Sequence, residues 1–179
     1  AVVTIDQAIA SGSYIGDPHT IARGDVEAAL AGAAEVGEGR VYSGGQDHFY
    51  LETQAAFAQP GEAGTLTVYS STQHPTEIQK LAAEVCGISA HRVTCQVPRL
   101  GGGFGGKESQ ASATGCFAAM GAFLTGRPVK ARLDRDQDMT QTGKRHPFSS
   151  RYRVGFDAAG QIVAVEAELW SNGGWSSDL

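Results

Sequence analysis

The chain has 179 residues, 41% hydrophobic and 18% charged, with a net charge of −5. That composition suits a globular domain with a core and argues against a nucleic-acid module, which should be basic. No apolar run approaches the ~20 residues of a membrane span, and no signal peptide is visible.

Thr4 to Gln7 is a capping-box pattern and starts a short helix over residues 4–10. Asp25 to Ala34 reads as a second helix, with Val26, Ala29 and Leu30 on one face. Arg40 to Glu52 has extended character, broken at Gly44 and Gly45. Thr65 to Ser71 alternates Leu66 and Val68 with Thr67 and Tyr69, as a strand does. Pro75 stands at a first helical position; Ile78, Leu81, Ala82 and Val85 follow at helical spacing, and Gly87 stops the helix. Arg92 to Val97 is a strand. Ser109 to Leu124 is a helix of small residues, and Pro128 to Leu133 is strand-like. Arg151–Asp157 and Ile162–Trp170 form a hairpin turned at Asp157 to Gly160.

The fold class expected is α+β: a two-layer mixed sheet with a βαβαβ core and a C-terminal hairpin. Residues 1–60 read as a connecting segment and 61–179 as the main domain. Parallel neighbours in such units carry ligands at their strands' carboxyl ends. Gln73 follows one strand and residues 101–108 follow the next, so both are expected around one crevice.

Residues 101–108 read Gly-Gly-Gly-Phe-Gly-Gly-Lys-Glu. So dense a run costs conformational entropy, and close approach of the backbone to a ligand explains it. A phosphate loop fits from Gly101 through Lys107, but Glu108 replaces the magnesium-binding hydroxyl. A dinucleotide pattern fits at Gly101, Gly103 and Gly106, with Asp134 later than the acidic partner should come. A nicotinamide dehydrogenase domain and a non-catalytic fold module therefore stand as alternatives. Asp134, Asp136 and Asp138 lack the rest of an EF-hand and read as a charged turn; the histidines show no metal-binding spacing. Cys86, Cys95 and Cys116 are odd in number and unpaired in spacing. They argue against a disulfide framework and imply a reduced, cytoplasmic setting. Lys144, Arg145 and His146 read as a solvated loop. His48 and Glu52 have the spacing of an acid–base pair, but buried structural groups are the simpler reading.

Five blocks, in order, resemble the molybdenum-binding part of xanthine dehydrogenases, in the molybdenum hydroxylase family. They are Gly45 to Glu52, Val68 to Gln73, Arg99 to Ser109, Leu133 to Met139 and Gly143 to Phe148. The resemblance implies part of the molybdenum cofactor-binding domain of an enzyme that oxidises a hydroxypurine such as xanthine or hypoxanthine. The oxygen would come from water, and hydride would pass to a molybdenum–sulfido centre. It implies that Gln73 hydrogen-bonds an oxygen on the metal, although a helix cap is the plainer role for that residue. Phe104 would pack beside the metal, and the backbone of Gly103, Phe104 and Gly105 would line the molybdopterin. Glu108 would bind the purine; as a plain carboxylate it would favour the start of a helix. Lys107 would neutralise an acidic neighbour or a cofactor phosphate. Iron–sulfur clusters and FAD would lie in other domains or subunits, as would the remainder of the molybdenum subunit. The catalytic base would lie beyond Leu179, so the chain alone is expected to be inactive. Nucleic acid and membrane are not expected partners.

Overall fold

The computed structural model describes residues 2–174. In chain order the elements are α1 (Ile5–Ser11), α2 (Val26–Ala31), β1 (Glu35–Ser43), β2 (Ala55–Pro60), β3 (Leu66–Ser70), α3 (Pro75–Cys86), β4 (Val93–Gln96), α4 (Ala111–Thr125), β5 (Val129–Arg132), α5 (Arg135–Gln141), β6 (Phe148–Phe156) and β7 (Ile162–Ser171). They gather into two compact units. One takes the chain up to Gln46 and again from His146; the other takes residues 47–145. Within them β1 pairs with β6, and β2 pairs with β3 and β5.

In the first unit β1, β6 and β7 form an antiparallel sheet in the order β1-β6-β7. The hairpin turns at Asp157, whose side chain accepts the N–H groups of Ala159 and Gln161. The expected hairpin is thus one side of a three-stranded sheet. Thr4 caps α1 by accepting the Gln7 N–H, and Asp25 caps α2 through the Ala28 N–H.

The second unit holds a mixed sheet in the order β4-β3-β2-β5. Here β3 and β4 are parallel, while β2 runs antiparallel to both of its neighbours. One face presents Ala56, Ala58, Leu66, Val68 and Val93 to α3 and α4. α4 contributes Ala111, Ala118, Ala119 and Ala122 to this core, and these short side chains let the helix lie close. Pro75 opens α3, and Gly87 closes it in the left-handed region at φ 65°. The class is the α+β mixed architecture expected. In its sheet β2 lies between β3 and β5, and β5 is an edge strand. The charged turn expected after β5 is instead a helix, α5, opened by a capping box between Asp134 and Gln137. Among the described residues no helix is long and apolar enough to cross a membrane.

Candidate functional site

The parallel pairing of β3 and β4 brings the ends of both strands to one edge of the sheet. Ser71, Thr72 and Gln73 leave β3 there, and the glycine loop follows β4. The two segments are bonded to each other. The Gln73 side-chain oxygen accepts the N–H groups of Gly105 at 3.0 Å and Lys107 at 3.2 Å. Its backbone N–H donates to the Lys107 carbonyl at 2.8 Å, and the Thr72 hydroxyl reaches the same carbonyl at 3.1 Å.

This clamp fixes the polarity of the Gln73 amide. With Oε1 held by two donors, Nε2 is the end left to donate. It lies 3.5 Å from Glu108 Oε1, a long contact. Gln73 does not cap α3: the N-cap is His74, with no side-chain cap bond.

Two glycines are required where they stand. A Cβ on Gly103 would lie 2.4 Å from Gln73 Oε1 and 2.6 Å from its Cδ. Gly105 takes φ +89°, which other residues rarely adopt. Between them Phe104 has φ 56° and is 73% exposed, so its side chain points out of the core.

Lys107 is 0% exposed. Its ammonium donates to the Glu52 carbonyl at 2.7 Å and to the Ser71 hydroxyl at 2.6 Å, and lies 3.5 Å from Glu52 Oε2. It also stands 4.5 Å from the centre of the Tyr50 ring. Burial pulls the ammonium below its ordinary pKa, and Glu52 offsets this only in part. Burial pushes the Glu52 carboxyl up, but the Ser71 hydroxyl, the Gly101 N–H and the Lys107 ammonium outweigh it and hold it below the usual range. The acidic neighbour expected for Lys107 is therefore Glu52.

The bonds of Glu52 go to Ser71, Gly101 and Lys107 rather than to His48. Its side chain is 43% exposed, so it is a surface-edge group and not the buried one expected. His48 packs its ring where a Cβ on Gly106 would fall, 2.7 Å away, and stacks beside Tyr50.

A second buried network supports the loop from below. The Tyr50 hydroxyl donates to Asp138 Oδ1 at 2.6 Å, and the Gln54 N–H donates to Asp138 Oδ2 at 2.7 Å. The Gln54 amide donates to the Tyr50 oxygen at 2.9 Å and to the Gly106 carbonyl at 2.8 Å. Arg135 donates to the carbonyls of Tyr50 and Leu51. Burial, with the Asp138 carboxylate beside it, pushes the Tyr50 phenol up to about 12. Tyr50, Gln54, Ser71 and Asp138 carry no local sequence signal for these roles.

The dinucleotide reading fails on this geometry. Asp134 is consumed as the N-cap of α5, and α4 begins at Ala111, well past Gly106. The N–H groups of Gly101 and Gly105 are taken by Glu52 and Gln73 rather than held for phosphate. Cys86, Cys95 and Cys116 are free. Among the described residues no group of three His, Cys, Asp or Glu side chains is placed to hold a metal. Lys144 of the basic cluster pairs with Asp47 at 3.2 Å.

A profile of the molybdopterin cofactor-binding domain matches residues 10–179. The chain belongs to that family. It is similar to the xanthine dehydrogenase of Drosophila pseudoobscura pseudoobscura, 50% identical over 99% of this chain and 13% of the relative. It is also similar to the xanthine dehydrogenase/oxidase of Mus musculus, 45% identical over 100% of this chain and 14% of the relative. The chain thus spans 13% to 14% of the length of these curated relatives. Among solved structures, the aldehyde oxidoreductase of Desulfovibrio gigas superposes with a TM-score of 0.70 at 27% identity, over 83% of this chain and 16% of that one. Quinoline 2-oxidoreductase of Pseudomonas putida 86 gives 0.68 at 26%, over 83% and 19%. The loop's geometry is compatible with that group: the clamp leaves the Gln73 amide nitrogen as a donor, and Gly103 leaves the backbone without a side chain beside it.

Proposed function

We propose that this chain forms one wall of the molybdenum site of an enzyme that hydroxylates a hydroxypurine. The observation that carries the reading is the clamped Gln73 amide, with Oε1 held by Gly105 and Lys107 and Nε2 left as the donor beside Glu108. The molybdenum cofactor, when bound, supplies the two-electron oxidation of the substrate carbon. Gln73 donates its amide N–H to an oxygen of that group, where charge changes during the reaction. Gly103 and Gly105 would let loop backbone approach the cofactor, and the outward Phe104 side chain would shield it from water. Glu108 accepts or donates a hydrogen bond at the purine edge.

The hydroxypurine is supported by Glu108 and by the names of the relatives that match nearly the whole chain. The catalytic base, the other cofactor contacts, the iron–sulfur clusters and FAD belong on this reading to other parts of the enzyme. A reducing cytoplasm suits its three free cysteines.

The test is Glu108→Val in the complete enzyme, with molybdenum content matched. A purine left with an unpaired polar group in a desolvated site loses about 1–3 kcal/mol. The ratio of xanthine to aldehyde kcat/KM should fall roughly tenfold to a hundredfold. An unchanged ratio removes Glu108 from substrate binding and the purine from this reading.

A further inference from the structure

The ammonium of Lys107 is fully enclosed, so it faces neither substrate nor cofactor. It nevertheless ties together every segment of the site. It holds Ser71 at the exit of β3 and the Glu52 carbonyl in the segment before β2. Through the Glu52 carboxylate, which also accepts the Gly101 N–H at 2.9 Å, it reaches the opposite end of the loop it belongs to. An apolar side chain of similar length would fill the same space. Buried ion pairs can often be replaced whole by apolar groups, but removing the ammonium alone leaves the Glu52 carbonyl and the Ser71 hydroxyl without it. What only the ammonium provides is several donors in fixed directions.

Those directions determine where the Lys107 backbone sits, and the Lys107 N–H is one of the two donors on Gln73 Oε1. An amide's oxygen and nitrogen ends are nearly equal in shape and opposite in polarity. If the Lys107 N–H is displaced, one donor remains, and half a turn of the Gln73 side chain presents an acceptor where a donor is needed. We propose that Lys107 is the positioning residue of this site: by anchoring its own backbone it sets which end of the Gln73 amide faces the cofactor. This rests on the reading of Gln73 given above.

The test uses the complete enzyme with Lys107→Met, Gln73→Ala, the double variant and Ser71→Ala. Two quantities are read at matched molybdenum content: amide hydrogen exchange of the peptide 101–110, and kcat with KM. Lys107→Met should speed exchange of that peptide and lower kcat, each by about tenfold or more, with KM within about threefold. Because both residues act through one amide, the double variant should be no slower than Gln73→Ala alone, within about threefold. Ser71→Ala removes one acceptor of the ammonium and should move exchange the same way by less. Unchanged exchange, or losses that multiply in the double variant, overturns the proposal. If Lys107→Met does not fold, exchange in Ser71→Ala decides alone, and an unchanged rate there overturns it. If Gln73→Ala leaves kcat intact, the reading of Gln73 fails, while exchange still decides whether Lys107 anchors the loop.

Discussion

Gln73 and Lys107 exchange two hydrogen bonds: the Gln73 N–H donates to the Lys107 carbonyl at 2.8 Å, and the Lys107 N–H donates to the Gln73 side-chain oxygen at 3.2 Å. The first joins the end of β3 to the glycine loop as a strand pair would. The second turns that junction into a device for orienting a side chain. A freely rotating amide would present either end to a ligand, whereas this one presents its donor.

Gly103→Ala tests how closely that device is packed. The new methyl carbon falls 2.4 Å from Gln73 Oε1, inside any real contact, so the amide must move. The variant should match the loss of a preorganised donor, about a hundredfold in kcat. It should keep its molybdenum, because the loop backbone remains. Steady-state rates and metal analysis check this; a loss under about threefold contradicts the packing described.

Tyr50→Phe removes the hydroxyl that donates to Asp138 and accepts from Gln54. Asp138 is 2% exposed and keeps the Gln54 N–H as a partner on its other oxygen. Asp138 Oδ1 would keep only the long 3.4 Å bond from the Thr142 hydroxyl, and a buried polar atom so weakened costs up to about 1–3 kcal/mol. Calorimetry of the complete protein should show a lowered Tm, with kcat changed less than in Gly103→Ala. Wild-type melting would show that the network contributes nothing.

Glu52 makes stability depend on acid. Its carboxyl is held below the usual range in the folded state, with burial opposing and the Ser71, Gly101 and Lys107 bonds prevailing. A depressed carboxyl stabilises the fold above its unfolded pKa, near ~4.3, and loses that contribution as pH falls through the folded value. Half-exposed as it is, Glu52 contributes modestly. The Tm advantage of the wild type over Glu52→Gln should be full above about pH 5.5 and shrink as the pH drops below about 4. A constant difference from pH 7 to pH 3 contradicts the assigned bonds.

How much of this was legible in the sequence varied with the range of the forces involved. The α3 boundaries were legible because Pro75 and Gly87 act locally. The meeting of Gln73 with the glycine loop was also legible, since two parallel strands must end at one edge. β2 was not: Ala55 to Pro60 has one aromatic and no β-branched residue, and it is a strand because β3 and β5 pair with it on both sides. Asp138 read as part of a charged turn. Its burial comes from Tyr50 and Gln54, 88 and 84 residues away, which no local pattern announces. For Lys107 the sequence left an acidic neighbour or a cofactor phosphate open; that the partner is Glu52, with Ser71, required the fold.

We propose that the Gln73 N–H acts on an oxygen of the molybdenum cofactor, and one measurement bears on this claim. It is the rate of enzyme reduction by xanthine in a single turnover, for Gln73→Ala against wild type at equal molybdenum content. A donor that acts on charge changing in the transition state is worth on the order of 3 kcal/mol, so the rate should fall about a hundredfold with xanthine affinity nearly unchanged. A rate within about threefold of wild type, with the metal in place, would contradict the claim and leave Gln73 as a structural tie between β3 and the glycine loop.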